Sequence, residues 1–306
     1  MIPERRVARC SALSGRATLS AMPMLAVVGA GNMGAAIVAG AVGNGVLRAA
    51  ELLVIDPDQR RRDAMAALGC AVAERASSAP LARSIMLAVK PQAFSGVAAE
   101  IGRLARPTVV ISVMAGIESG SIRAALGGES RVVRAMPNVA CKVGAGMTAL
   151  ALGAGAAPGD ELLAMRLFDA IGATIRIDEA LMHAATAVGG SGPAYLFALA
   201  EAMERGAQEV GIPPVHVRRV VVQTLLGALR LLAESGETPA GLREAVTSRG
   251  GTTEAALGVL VDRGFADSVV AAIAAARDRG AALARAPLEG AAALDRAGGG
   301  SGPQAN

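Results

Sequence analysis

The sequence predicts an α/β fold, with a doubly wound, mostly parallel sheet in the first part and an all-helical domain after it. Three observations predict it. Short apolar runs of strand length alternate with helical patterns up to about residue 180. The first run stops at a glycine cluster, Gly29-Ala30-Gly31-Asn32-Met33-Gly34, which opens a helix. Beyond residue 180 the runs give way to long helical periodicities.

Residues 24–28 form the first apolar run, and helix follows from Met33 to about Gly43. Leu52 to Ile55 is the second run, closed by Asp56-Pro57. Helix then runs from Asp58 to Leu68, with Gly69 where a left-handed stop is expected. Further runs lie at Ile85–Val89, Val109–Met114 and Val132–Met136. Strands covered on both faces lose the alternation of apolar and polar residues, which accounts for their uniform character. The expected division is a disordered extension at 1–22, a sheet domain at 23–180, a helical domain at 181–289 and a disordered tail at 290–306.

In the helical part, Pro193 to Val210 places Leu196, Leu199, Ala200, Met203, Ala207 and Val210 on one face. The next helix, Pro214 to Glu234, is different. Its Val217, Val220, Val221, Val222, Leu225, Leu226, Leu229, Leu231 and Leu232 surround nearly the whole axis. A helix apolar all round must be buried. The chain after residue 180 is too short to cover it, so a second subunit is the natural cover. The helical domain is read as a dimerisation domain.

Composition excludes several function classes. Aromatic residues are only 2% of the 306, with no Trp and one Tyr, which leaves no stacking platform for bases. The net charge is +4, but Arg5, Arg6, Arg9 and Arg16 against Glu4 put +3 in the first 23 residues, so +1 remains elsewhere. No basic stripe suits a phosphate backbone, and no nucleic-acid partner is expected. Residues 24–47 carry no charge, but their six glycines and two asparagines fit strand, turn and helix better than a membrane span. Cys10, Cys70 and Cys141 are odd in number and far apart, as reduced thiols in the cytoplasm would be, and they suggest neither a disulfide framework nor a metal site.

The glycine cluster is GxGxxG between a strand and a helix, with an acid closing the next strand. That context is the fingerprint of a Rossmann dinucleotide site. Gly29 permits the turn, Gly31 lets a diphosphate approach the backbone at the helix amino end, and Gly34 lets helix and strand pack. Ala30, Asn32 and Met33 complete the cradle. Asp56 can accept from the adenosine-ribose hydroxyls, which leans towards NADH, while Arg60, Arg61 and Arg62 could hold the 2′-phosphate of NADPH. The two signals conflict. Ala88-Val89-Lys90-Pro91 ends the fourth strand and Ala115 follows the fifth, both at the sheet edge where ligands sit. Lys90 is one of two lysines in the chain and is read as lining the nicotinamide half.

The second informative segment is Thr247-Ser248-Arg249-Gly250-Gly251-Thr252-Thr253-Glu254, followed by a helix to about Arg263. Free amides at a helix start, with hydroxyls beside them, suit a small carboxylate; simple capping by Thr252 is the plainer alternative.

GAGNMG, AVKPQ (88–92), RAMPN (134–138), GAGMTAL (144–150), SGPAY (191–195) and VTSRGGTTEAAL (246–257) occur in this order. Together the set resembles the pyrroline-5-carboxylate reductases along most of residues 24–285. Three departures stand out: Arg249 where that family usually has Pro, Val139-Ala140 where it has Thr-Pro, and Gly189 where it has Ser. The resemblance implies a Rossmann domain and a helical domain that interlocks with a second subunit, as a homodimer, with a ring of dimers left open. It implies reduction of 1-pyrroline-5-carboxylate to proline with NADH or NADPH. By position, Thr253 matches the threonine whose hydroxyl meets the ring nitrogen, and Gly251 and Thr252 match the loop that receives the carboxylate. Gly250 and Ser248 belong to that loop. His183 and His216 form no dyad or metal pattern and are read as structural. A protonated imine is already electrophilic, so the reaction needs positioning more than a tuned general acid. Two rivals are a β-hydroxyacid-dehydrogenase-like oxidoreductase and a non-catalytic dinucleotide-binding protein. The former would need a lysine in the helical domain, and none follows residue 180.

Overall fold

The computed structural model describes residues 22–285. The expected extension before Met22 and the tail from 290 onward lie outside the described residues. Eight strands form one sheet: β1 (Leu25–Val28), β2 (Leu52–Ile55), β3 (Ala71–Ala73), β4 (Ser84–Leu87), β5 (Thr108–Ser112), β6 (Ser130–Pro137), β7 (Gly146–Leu152) and β8 (Gly172–Arg176). Their order is β3-β2-β1-β4-β5-β6-β7-β8. Strands β1 to β6 are parallel; β7 runs antiparallel to β6, and β8 is parallel to β7. The winding direction reverses between β1 and β4, which opens a crevice at their carboxyl ends.

Strands β1, β2 and β4 are buried at every residue. Alternate residues of β1 serve two separate cores. Leu25 and Val27 pack with Ile37, Leu167 and Phe168 from α1 (Asn32–Gly43) and, further along the chain, α5 (Leu162–Asp169). Ala26 and Val28 pack with Phe94, Ile101 and Ile122 on the opposite face. Those residues come from α3 (Phe94–Ile101) and α4 (Ser119–Leu126). Helix α2 (Gln59–Ala67) ends as expected, with Gly69 at φ +88°. The sheet is thus covered on both faces, as its uniform strands imply.

Strands β3, β7 and β8 are additions to the sequence reading. β3 is three residues long, and β8, on the open edge, leaves Ile175 exposed. The chain leaves the sheet at Arg176 and enters a short α6 (Met182–Ala185), then a π-helical turn at Thr186–Gly190. The helical part follows as α7 (Gly192–Glu209), α8 (Pro214–Glu234), α9 (Pro239–Ala245), α10 (Thr252–Asp262) and α11 (Phe265–Arg285). Helix α11 returns towards the sheet domain, so that Gly280 lies against His183 and Leu283 against Gly116.

In α8 only Val217 and Val221 are buried within one subunit, while Leu226, Leu229 and Leu231 are 43%, 45% and 52% exposed. Helix α7 buries no residue fully, so its apolar face too lacks cover within one subunit. No helix among the described residues is long and apolar enough to cross a membrane.

Candidate active site

The glycine loop sits at the crevice. Gly29 has φ +101°, and a Cβ there would lie 2.6 Å from the Ala88 carbonyl oxygen as β4 ends. A Cβ on Gly34 would lie 2.0 Å from the Gly29 carbonyl oxygen. Neither position tolerates a side chain, because strand, loop and helix meet there by their backbones. Helix α1 begins at Asn32 with Gly31 as its cap, no side-chain cap and no acid in the first turn. Its amino end therefore presents open N–H groups and positive dipole charge, which fits a diphosphate.

Asp56 follows β2 and is 3% exposed. Its Oδ2 accepts from the Ala30 amide at 2.8 Å, and its Oδ1 accepts from the Asp58 amide at 2.9 Å. It clamps the glycine loop to the turn before α2. The three arginines part company here. Arg62 is buried and donates through Nη1 to the carbonyls of Asp56 (2.7 Å) and Pro57 (2.8 Å), so it is structural. Arg60 is exposed. Arg61 lies 3.4 Å from Asp56 Oδ2, with its side chain 52% exposed.

Ala88 continues β4, its amide donating to the Val28 carbonyl at 2.8 Å. Lys90 is exposed and caps a single 3-10 turn begun by Pro91. Ala115, just past β5, is exposed at the same edge of the sheet. These residues are gathered along the crevice by the parallel order of β1, β4 and β5.

The Ser248–Glu254 segment forms a second helix start. The Gly251 amide donates to the Ser248 carbonyl at 3.0 Å, and the Gly250 amide donates to Glu254 Oε2 at 2.7 Å. Gly251 caps α10 with no side-chain cap, so Thr252 does not serve as the cap. The amides left open at this end are those of Thr252, Thr253 and Glu254 in the first turn. Ser248 and Thr252 are exposed and Thr253 is half-buried. Among the described residues no hydrogen bond or ion pair joins this loop to the glycine loop or to Lys90.

Two clusters escaped the sequence reading. Ser119, at the start of α4, donates its amide to Glu179 Oε1 at 2.9 Å and its hydroxyl to Oε2. Arg134 of β6 reaches the same carboxylate at 3.4 Å. Burial pulls the Arg134 guanidinium below its ordinary value, and Glu179 opposes that shift. The other cluster centres on Asn138, whose Oδ1 accepts from the amides of Ala140 (3.1 Å) and Met147 (3.3 Å). Tyr195 donates its hydroxyl to the Ala187 carbonyl at 3.0 Å. Arg134, Asn138 and Tyr195 belong to ordered motifs; Ser119 and Glu179 carried no signal. Among the described residues no three His, Cys, Asp or Glu side chains gather to hold a metal.

A doubly wound sheet with an open glycine loop at its crevice, joined to a helical domain with uncovered apolar faces, defines a two-domain dinucleotide-dependent oxidoreductase that pairs through its helices. Residues 24–116 match the family model described as NADP oxidoreductase, coenzyme F420-dependent, and residues 179–283 match that described as pyrroline-5-carboxylate reductase dimerisation. The chain belongs to the pyrroline-5-carboxylate reductase family. It is 35% identical over 263 residues to the pyrroline-5-carboxylate reductase of Synechocystis sp., covering 85% of this chain and 98% of the relative. It is 34% identical over 264 residues to that of Escherichia coli, covering 84% and 97%. The solved pyrroline-5-carboxylate reductase of Coxiella burnetii superimposes with a TM-score of 0.80 at 31% identity, covering 87% of this chain and all of the other.

Proposed function

We propose that this protein reduces the cyclic imine 1-pyrroline-5-carboxylate to L-proline, with NADPH or NADH as the hydride donor. The observation that carries the reading is the match along 98% of the Synechocystis reductase, and the two family matches, at residues 24–116 and 179–283, include the glycine loop and the Ser248–Glu254 loop. The geometry is in keeping with it, since the glycine loop and the Ser248–Gly251 turn each lead into a helix start with a glycine cap and no side-chain cap, which suits an anion.

The nicotinamide, when bound, supplies a hydride to the imine carbon, and the C=N electron pair moves onto the protonated ring nitrogen. The chain's own residues position and hold. Gly29 to Gly34 receive the diphosphate, while Ala88, Val89, Lys90, Pro91 and Ala115 line the nicotinamide half. The Ser248–Gly251 turn shapes the substrate end. Because the amides of Gly250 and Gly251 are already engaged, those of Thr252, Thr253 and Glu254 receive the carboxylate. The Thr253 hydroxyl faces the ring nitrogen and orients it. Catalysis rests on holding the imine carbon against the donor rather than on a titrating side chain.

The dinucleotide-binding part comprises residues 23–180 and the dimerisation and substrate part residues 181–289. The division is supported by the sheet's last strand ending at Arg176. The buried, unpaired thiols of Cys70 and Cys141 are in keeping with work in the cytoplasm. A ring of dimers would appear in light scattering as a multiple of the dimer mass. The direct test is turnover: NAD(P)H should be oxidised only when the cyclic imine is supplied. Activity on a 3-hydroxy acid with none on the imine would overturn the proposal.

A further inference from the structure

The adenosine end of the crevice carries more information than the conflicting charges of the sequence suggest. An acid that selects NADH must offer its carboxylate to the ribose hydroxyls. Asp56 does not stand open in that way. It is 3% exposed, and each oxygen already accepts from a backbone amide, Ala30 on one side and Asp58 on the other. Over it lies Arg61, whose Nη1 is 3.4 Å from Asp56 Oδ2 and whose Nε is 3.8 Å from Asp58 Oδ2. The same guanidinium reaches the glycine loop: a Cβ on Gly31 would meet Arg61 Nη1 at 3.9 Å, with nothing nearer. Arg62 is spent on backbone carbonyls and on Glu74. Of the exposed charged residues that open α2, Asp58, Arg60 and Arg61, only Arg61 spans the gap between the glycine loop and the end of β2.

We infer that Arg61 is the residue that selects the dinucleotide, that it does so by binding the 2′-phosphate on the adenosine ribose, and that the protein therefore prefers NADPH. Asp56 serves as a latch that fixes the glycine loop and stations Arg61. On binding, the guanidinium exchanges a long, partly buried contact with Asp56 for a fork of charge-assisted hydrogen bonds to phosphate. The half-exposed side chain has the freedom to turn the few ångströms required. This rests on the reading of Gly29 to Gly34 as the dinucleotide site, and the experiment separates the two.

Dissociation constants for NADPH, NADH, adenosine 2′,5′-bisphosphate and 5′-AMP would be measured by calorimetry or fluorescence on the full chain, without substrate. Wild type should bind NADPH at least about tenfold tighter than NADH, and the bisphosphate similarly tighter than 5′-AMP. Arg61→Ala should weaken NADPH and the bisphosphate by about tenfold to a hundredfold and NADH by less than about threefold. Arg61→Lys should restore part of the loss, since lysine keeps the charge without the fork. Equal affinity for the two cofactors in wild type, or an equal loss of both in Arg61→Ala, would overturn the role of Arg61 and leave the dinucleotide site standing. Absence of binding by either cofactor would overturn the dinucleotide site itself, and the inference with it.

Discussion

The side-chain amide of Asn138 donates to the carbonyl of Gly189 at 3.0 Å, tying the end of β6 to the π-helical turn that leads into α7. With the amides of Ala140 and Met147 on its Oδ1, one side chain holds three separate backbone segments. A π-turn interrupts the ordinary helical ladder, and such turns are frequent near functional sites. Here the turn sets the direction in which the helical domain departs from the sheet. Its geometry depends on a bond reaching across from the other domain.

Removing that bond and filling the turn should act in opposite directions. Asn138→Ala leaves half-buried backbone groups without partners and should lower stability by about 1–3 kcal/mol, read as a fall in Tm. Gly189→Ser should do the reverse. Gly189 has no positive φ, and a Cβ there would meet only Met147 Cγ at 3.9 Å, an ordinary contact. Replacing a glycine where another residue fits typically adds about 0.4–1 kcal/mol by restricting the unfolded chain. A lower Tm for Gly189→Ser would show that the turn needs its glycine for a reason other than space.

The Ser119–Glu179–Arg134 cluster makes a second stability prediction. The Arg134 side chain is 4% exposed; among the described residues its salt-bridge partner is Glu179, at 27%, and Glu118 adds a longer-range attraction. Glu179→Gln keeps the shape but leaves a buried cation with only the longer-range attraction of Glu118, a loss that costs about 3–5 kcal/mol for a fully buried pair and somewhat less here. Denaturant titration should show the midpoint falling with the slope unchanged. The double change Arg134→Met with Glu179→Gln should recover part of the loss, because no charge is then stranded. An undiminished midpoint in the single variant would mean that water or another group serves Arg134.

The sequence made the first half of the Rossmann sheet readable, and the limits of that reading have physical causes. GAGNMG and Asp56 lie within one local unit of strand, turn, helix and strand, so their joint role follows from spacing alone. Helix α8 was readable to both ends because Pro214 opens it and apolar residues recur in every turn to Leu232. Strands β7 and β8 were not. The reversal at β7 breaks the βαβ rhythm, and Gly172-Ala173-Thr174-Ile175-Arg176 is a half-exposed edge with no continuous apolar run. The alanine-rich stretch of α11 likewise lacks a strong stripe. Ser119 and Glu179 are 60 residues apart, and nothing local in either announces the other. The conflict between Asp56 and the arginines needed coordinates, since only burial distinguishes Arg62 from Arg61.

The uncovered face of α8 predicts the outcome of a single charge. Leu226 and Leu229 lie one turn apart and are each more than two-fifths exposed in one subunit. If the partner's helices cover them, Leu229→Glu buries a carboxylate in an apolar interface at a cost of several kcal/mol. Light scattering at micromolar concentration should then give the monomer mass for the variant and at least the dimer mass for wild type. A variant with wild-type mass and stability would move the interface to another face.

The last prediction concerns the loop before α10. Ser248, Arg249, Gly250 and Gly251 form a four-residue turn closed by the Gly251 amide on the Ser248 carbonyl, with Gly250 at φ +74°. A positive φ at the third position is the mark of a type II turn, and proline is favoured at the second position of such a turn. That position is held by Arg249, whose side chain is exposed. Arg249→Pro should therefore fit the backbone and stabilise by about 0.4–1 kcal/mol. Its effect on KM for the imine separates two roles. An Arg249 that only faces solvent leaves KM unchanged on replacement, whereas one that meets the substrate carboxylate raises it. Thr253→Ala tests the adjoining position independently. Loss of one hydrogen bond to a charged ring nitrogen is worth about 1.5–3 kcal/mol, so kcat/KM should fall roughly tenfold to a hundredfold. Dinucleotide affinity should stay as it was, because no hydrogen bond or ion pair among the described residues links this loop to the glycine loop. A Thr253→Ala enzyme with full kcat/KM would reduce the segment to a helix start held by Gly251 and Glu254 alone.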